Sequence, residues 1–170
     1  MKLLVVSDSH GRRDILEELK GRYQEKVDLM IHCGDSELKA DDPAIEGFQV
    51  VKGNCDIEPD FSNETIDEIA GKRIFVTHGH RYNVKMTMMN LSYKAKEYEA
   101  DFVFFGHSHL VGVEKIDGTV FLNPGSITLP KGRQEKTYAV VEVNHEEAEV
   151  RFYTDTHEEI TDLRQTFSLE

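Results

Sequence analysis

The sequence predicts an α/β protein of two packed sheets flanked by helices, and three features predict it. Short runs of β-prone apolar residues recur along the chain. A strand–helix–strand alternation occupies its first half, and short strands joined by tight turns fill its second. The same runs say where the chemistry lies. Asp8-Ser9-His10, Gly34-Asp35, Gly53-Asn54, Thr77-His78-Gly79-His80 and Gly106-His107-Ser108-His109 each follow one of them. Ligand-type side chains arriving at the carboxyl ends of buried strands are how an open α/β sheet builds a site.

Each element has its own reason. Leu3-Leu4-Val5-Val6 is the first strand, ending at Ser7. Residues 12–23 form a helix, with Ile15, Leu16 and Leu19 at helical spacing and a cap-like Gly21 near its end. Residues 27–32 and 48–51 are the next buried strands, which gives a parallel half-sheet. Residues 65–70 alternate apolar and polar, turn at Gly71-Lys72 and return as residues 73–76. Asn83 caps a helix to about residue 99 that presents Val84, Met88, Leu91, Ala95 and Tyr98 on one face. Met86, Met88 and Met89 read as helix core or as part of a subunit contact. From residue 102 the pattern is of mostly antiparallel strands at 102–105, 111–116, 119–122, 138–143 and 148–153, with Asp117-Gly118 as a hairpin signal.

Length and composition bound the rest. A chain of 170 residues suits one domain over 1–170 with a full core, and no linker or repeat divides it. One lysine before four apolar residues is too short for a signal-peptide core or a membrane span. Two cysteines are too few for a disulfide framework, so a soluble cytoplasmic protein is expected. A net charge of −12 argues against stable nucleic-acid binding, which needs a basic surface. Asn144-His145-Glu146-Glu147 and His157-Glu158-Glu159 read as exposed acidic turns with no chemistry.

The ligand-type residues form a coherent set. In an extended segment, side chains two apart point the same way, about 6.6 Å apart at Cα, so Asp8-x-His10 can close on one ion and His107-x-His109 can reach either one ion or two neighbours. A glycine before Asp35 and another before Asn54 allow a sharp bend or a close approach. The Asp35 carboxylate has two oxygens and can bridge two cations, while Asn54 offers a neutral oxygen and His78 a further imidazole. Mixed oxygen and imidazole donors suit two divalent transition metal ions, with manganese expected first and nickel, iron, cobalt or zinc also suited.

This ordered set resembles the calcineurin-like metallophosphoesterases. Gly53-Asn54-Cys55-Asp56, Asn123-Pro124-Gly125-Ser126 and the short length are similar to their small bacterial and archaeal phosphodiesterase branch. The resemblance spans residues 1 to about 150 and implies a four-layer α/β/β/α sandwich with a dinuclear centre. It also implies that Asp8, His10, Asp35 and His109 hold one metal, that Asp35, Asn54, His78 and His107 hold the other, and that Asp35 bridges. Many larger relatives place a histidine after the asparagine, where this chain has Cys55. Cys55 reads as a packed small residue, or as a site of inactivation by oxidation or soft metals, rather than as a catalyst.

The function expected is a metal-dependent phosphodiesterase acting on a small phosphoester by direct attack of a metal-bridging hydroxide. Asn54 and His80 are the catalytic candidates. His80 either contacts the substrate or a metal-bound water, or orients its neighbours. Lys131 and Arg133 read as a solvated loop rather than as phosphate contacts. The alternatives are a phosphomonoesterase or nucleotide phosphohydrolase on the same centre, or a catalytically idle interaction scaffold of the same fold, such as a retromer subunit. An exposed helix face or strand edge would support a homo-oligomer.

Overall fold

The computed structural model describes residues 1–169. Strands β1 (Lys2–Val6), β2 (Leu29–His32) and β3 (Phe48–Val50) lie parallel, with helix α1 (Arg13–Tyr23) between the first two in sequence. Strands β9 (Thr137–Val143), β10 (Glu147–Thr154) and β11 (Gln165–Ser168) join β1 antiparallel and complete a six-stranded sheet of order β11-β10-β9-β1-β2-β3. The middle of the chain makes the other sheet from β4 (Glu64–Ile69), β5 (Lys72–Thr77), β6 (Phe102–Phe104), β7 (Gly112–Ile116) and β8 (Thr119–Asn123), in the order β4-β5-β6-β8-β7. Helix α2 (Met89–Glu97) precedes β6.

Alternation along the strands produces the layers. Leu3 and Val5 of β1 pack against Ile74, Val76, Phe102, Phe104, Val120 and Leu122 of the second sheet, which makes the central core. The intervening Leu4 and Val6 turn outward onto Ile15, Leu16 and Leu19 of α1. On the far side, Phe75, Val103 and Phe121 turn onto Leu91 and Ala95 of α2. The result is helix, sheet, sheet, helix. Strands buried on both faces need near-continuous apolar runs, and β1, β6 and β8 have them.

Several elements differ from the sequence reading. β6 pairs parallel with both β5 and β8, so the second half is less antiparallel than expected. The reason is that α2 and the β7 hairpin act as crossovers and bring β6 and β8 back in one direction. β11 was not anticipated, because its residues are largely exposed and give no apolar alternation. Gly21 lies inside α1, which ends at a Gln24 cap, so it caps nothing. Asn83 does not open α2. It adopts φ 55° and closes a 3-10 turn at His80–Tyr82, so the helix begins only at Met89. Met88 packs partly against the α2 core, but Met86 and Met89 are 80% and 56% exposed, so only Met88 belongs to the apolar face.

Candidate metal centre

The carboxyl ends of β1, β2, β3, β5 and β6 meet along one edge of the sandwich. Asp8 and His10 follow β1, Asp35 follows β2, Asn54 follows β3, His78 directly follows β5, and His107 and His109 follow β6. Every site residue expected from the sequence comes to this place. The Nε2 atom of His109 lies 3.1 Å from Asp8 Oδ1, and the Nε2 atoms of His10 and His78 are each 3.8 Å from the same oxygen. His78 Nε2 is also 3.2 Å from Asp35 Oδ2 and 3.1 Å from Asn54 Oδ1. The His107 ring centroid stands 5.1 Å from that of His78, and His80 stands 5.4 Å from His78 and 6.0 Å from His107.

The local backbone is not the extended one expected. Asp8 and His10 have φ 53° and 46°, Asp35 has 57°, and His107 and His109 have 67° and 60°. Left-handed conformations fold each loop back on itself, so that both donors of Asp-x-His and of His-x-His converge through tight turns. Two glycines make room. A Cβ on Gly53 would overlap the Asp35 carboxylate, and one on Gly106 would meet the Ser7 hydroxyl and Asp8 Oδ2.

The imidazoles are oriented from behind. His78 Nδ1 donates to the Cys33 carbonyl at 2.7 Å, His109 Nδ1 to the Leu129 carbonyl at 2.6 Å, and His10 Nδ1 to the Glu37 carboxylate at 2.9 Å. Carbonyl and carboxylate oxygens only accept, so each Nδ1 carries a proton and each Nε2 of a neutral ring presents a lone pair. Those lone pairs face carboxylate oxygens and one another, with the Nε2 atoms of His10 and His109 only 3.3 Å apart. Asp8 Oδ1 is fully buried and has no hydrogen-bond partner among the described residues. Such an arrangement is repulsive unless positive charge sits within it, and it fits divalent cations. Asp8, His10 and His109 form one group of donor atoms mutually within 4.8 Å, and Asp8, Asp35 and His78 another.

Titration behaviour reflects the same demand. Burial alone would raise Asp8, but contact with a protonated His109 and the charge of a protonated His78 outweigh it and hold its carboxyl low. Asp35 is likewise held well below the usual range, its burial overcome by the His78 hydrogen bond and charge. His109 is raised because its protonated form gains the Asp8 carboxylate as a partner. His78 is depressed by burial yet raised overall by Asp35 and Asp8. His107 is pushed down to about 4 by burial, then by the His78 and Lys85 charges.

Other residues support the centre that the sequence reading did not single out. The Asp56 carboxylate accepts the backbone N–H groups of Asp35 at 2.8 Å, Gly53 at 2.7 Å and Glu37 at 2.7 Å, which ties the β2 and β3 loops together. Ser126 Oγ donates to the Asp8 carbonyl at 2.8 Å and accepts from Leu129 N at 2.7 Å. Buried His32 accepts from Gly34 N through Nδ1 and donates to Ser9 Oγ through Nε2. Asp56 and Ser126 stand inside the motifs already noted, which was the only signal they offered.

One expectation changes. Cys55 is exposed rather than packed, because the turn that buries Asp56 leaves the thiol at the open rim of the centre beside His10 and Asp35, and partial desolvation with the Asp35 charge pushes that thiol up to about 11. Arg133 pairs with Glu135 and Asp162, which agrees with a solvated loop.

Carboxylates and imidazoles gathered at the strand ends of a two-sheet sandwich define a class of protein, the metal-dependent phosphoester hydrolases. The profile of the calcineurin-like phosphoesterase superfamily domain matches residues 1–146, and the chain belongs to that family. It is 45% identical over 169 residues to the probable metallophosphoesterase YsnB of Bacillus subtilis, covering 99% of this chain and all of that one. A crystal structure from Streptococcus pneumoniae, described as a predicted phosphoesterase, superposes with a TM-score of 0.95 at 40% identity, covering 98% of this chain and 97% of that one. The phosphodiesterase YfcE of Escherichia coli K12 is 24% identical over 172 residues, covering 84% of this chain and 88% of its own.

Proposed function

We propose that the protein is a dinuclear metal-dependent phosphodiesterase acting on a small phosphoester. In this reading Asp8, His10, Asp35 and His109 hold one ion, Asp35, Asn54, His78 and His107 hold the other, and residues 1–170 work as one domain. The observation that carries it is Asp8 Oδ1, buried without a partner and faced by three imidazole Nε2 atoms. The ions, when bound, supply acidification of a water and neutralisation of charge on the phosphate oxygens. Manganese is our first choice, because carboxylate and amide oxygens make up half of the donors proposed for each ion.

The chain's own residues do the rest. Asp35 is the residue that the two proposed ligand sets share, and its two carboxylate oxygens would let it serve both. Asn54 contributes an uncharged oxygen beside His78, so the second group gains a donor without a further anion. His80 has a buried Nδ1 with no partner among the described residues, and burial followed by the His78 charge lowers its pKa. A ring that orients neighbours would bond to one of them, so we assign His80 to a phosphate oxygen of the substrate. A cytoplasmic location stays part of this reading, on the cysteine count alone, since two cysteines are too few for a disulfide framework.

A diester is favoured over a monoester or nucleotide by the cations near the centre. Arg12 is committed to Asp14, Asp155 and the Ile127 carbonyl, and Arg133 to Glu135 and Asp162, so neither arginine is free for the extra charge of a monoester. Lys85, Arg81 and Lys131 each act on a different imidazole rather than as a cluster. The intact donor set argues for turnover rather than an idle scaffold. Asp8→Ala, Asn54→Ala and His107→Ala should abolish metal-dependent cleavage of an activated aryl phosphodiester while circular dichroism stays native. Full activity after exhaustive chelation would sink the mechanism, and faster cleavage of the matched monoester would sink the substrate assignment.

A further inference from the structure

We propose that Cys55 is a conditional ligand: its sulfur coordinates a soft divalent ion such as zinc or cadmium at the centre and takes no part in holding manganese or magnesium. This rests on the metal-centre reading above and adds ion discrimination to it. The Cys55 Sγ belongs to a third group of donor atoms, with His10 and Asp35, whose members all lie within 4.8 Å of one another. Three separate loops supply the three residues, so the sulfur is not an isolated thiol. Its position is fixed from both sides. Cys55 N donates to Asp35 Oδ1 at 2.8 Å, and the Asn54 amide reaches toward Sγ at 3.5 Å.

A second observation points to a ligand at the same place. His10 is shared by the Asp8–His10–His109 and His10–Asp35–Cys55 groups. An ion held by His10 therefore has two neighbours, the buried and unpartnered Asp8 Oδ1 and the exposed Cys55 sulfur. Thiolates select soft and borderline ions, whereas carboxylate and amide oxygens suit magnesium and manganese. On coordination the Sγ–H proton leaves to solvent as the sulfur–metal bond forms, and no electron is transferred. A soft ion thus gains an anionic ligand at a position that a catalytic site must keep open for substrate. The centre would hold zinc or cadmium tightly and turn over slowly with either, while the manganese form stays open.

The test is spectroscopic. The wild-type protein loaded with cobalt(II) should show the near-ultraviolet sulfur-to-cobalt charge-transfer band together with visible d–d bands. Cys55→Ser should lose the first and keep the second. Cys33, the only other cysteine, is wholly buried and cannot take over. Cadmium affinity should fall in Cys55→Ser by at least the roughly tenfold that loss of even an outer-shell partner costs a metal site, with manganese affinity unmoved. Visible bands without the charge-transfer band in wild type, or equal cadmium affinity in both proteins, would overturn the role of Cys55 alone. Absence of any cobalt spectrum would overturn the metal centre itself, and this proposal with it.

Discussion

Asp56 offers nothing to the centre directly, yet its two oxygens hold the N–H groups of Asp35, Glu37 and Gly53. Hydrogen bonds to a charged acceptor contribute more than neutral ones, roughly 1.5–3 kcal/mol each. Replacing Asp56 by Asn keeps the size, removes the charge and turns one acceptor into a donor facing an N–H. We expect Asp56→Asn to weaken metal binding by roughly 10–100-fold, as read by calorimetric titration. Unchanged affinity would mean that the β2 and β3 loops hold their shape unaided. The contrast with Asp35 shows what a sequence can reveal at this scale. Gly34-Asp35 stands out because a donor follows a strand and a glycine, whereas Asp56 acts through backbone groups some twenty positions away, which no spacing announces.

At the scale of elements, strand β2 ends in a histidine that is not a donor to the centre. Burial pushes His32 down to about 4 from its ordinary 6.5. The unfolded chain therefore binds this proton more readily than the folded one. The stability tied to neutral His32 is complete above pH 6.5 and is lost as pH falls toward about 4. Its size is roughly 3 kcal/mol at most. Urea midpoints measured with chelator present should fall across that window, and His32→Gln should flatten the fall. Equal slopes in the two proteins would refute the assignment. The strands were legible because apolar runs buried on both faces are long and continuous. The start of α2 was not, since Asn83 has the chemistry of a helix cap but spends it on a left-handed turn. Met86 and Met89 lie outside the helix core for a related reason, since hydrophobicity alone does not say which side of a turn faces the core.

For the whole molecule, loops from both sheets contribute to one centre, so ion binding and folding are linked. Ions that bind the native state stabilise it by about 2.7 kcal/mol for each site filled at one hundred times its Kd. Chelation should therefore lower the melting temperature, and adding back manganese should restore it, with calorimetry as the measurement. An identical Tm with and without ions would show that the loops are ordered independently of them. The layered arrangement was readable from alternation, because Leu3 and Val5 face one way and Leu4 and Val6 the other. Which strands neighbour one another was less so, for the return of the chain's last strands to β1 depends on contacts more than a hundred residues apart.

The left-handed backbone at Asp8, His10, Asp35, His107 and His109 has an evolutionary corollary. An L-residue held there forgoes about 1–2 kcal/mol relative to the right-handed form, a penalty that glycine escapes. In the proposed reading, metal binding keeps aspartate and histidine where the main chain alone would favour something smaller. A sister lineage released from hydrolysis should drift toward glycine or asparagine at these five positions before its hydrophobic layers change. The residues found there would then date the loss of activity better than overall divergence does.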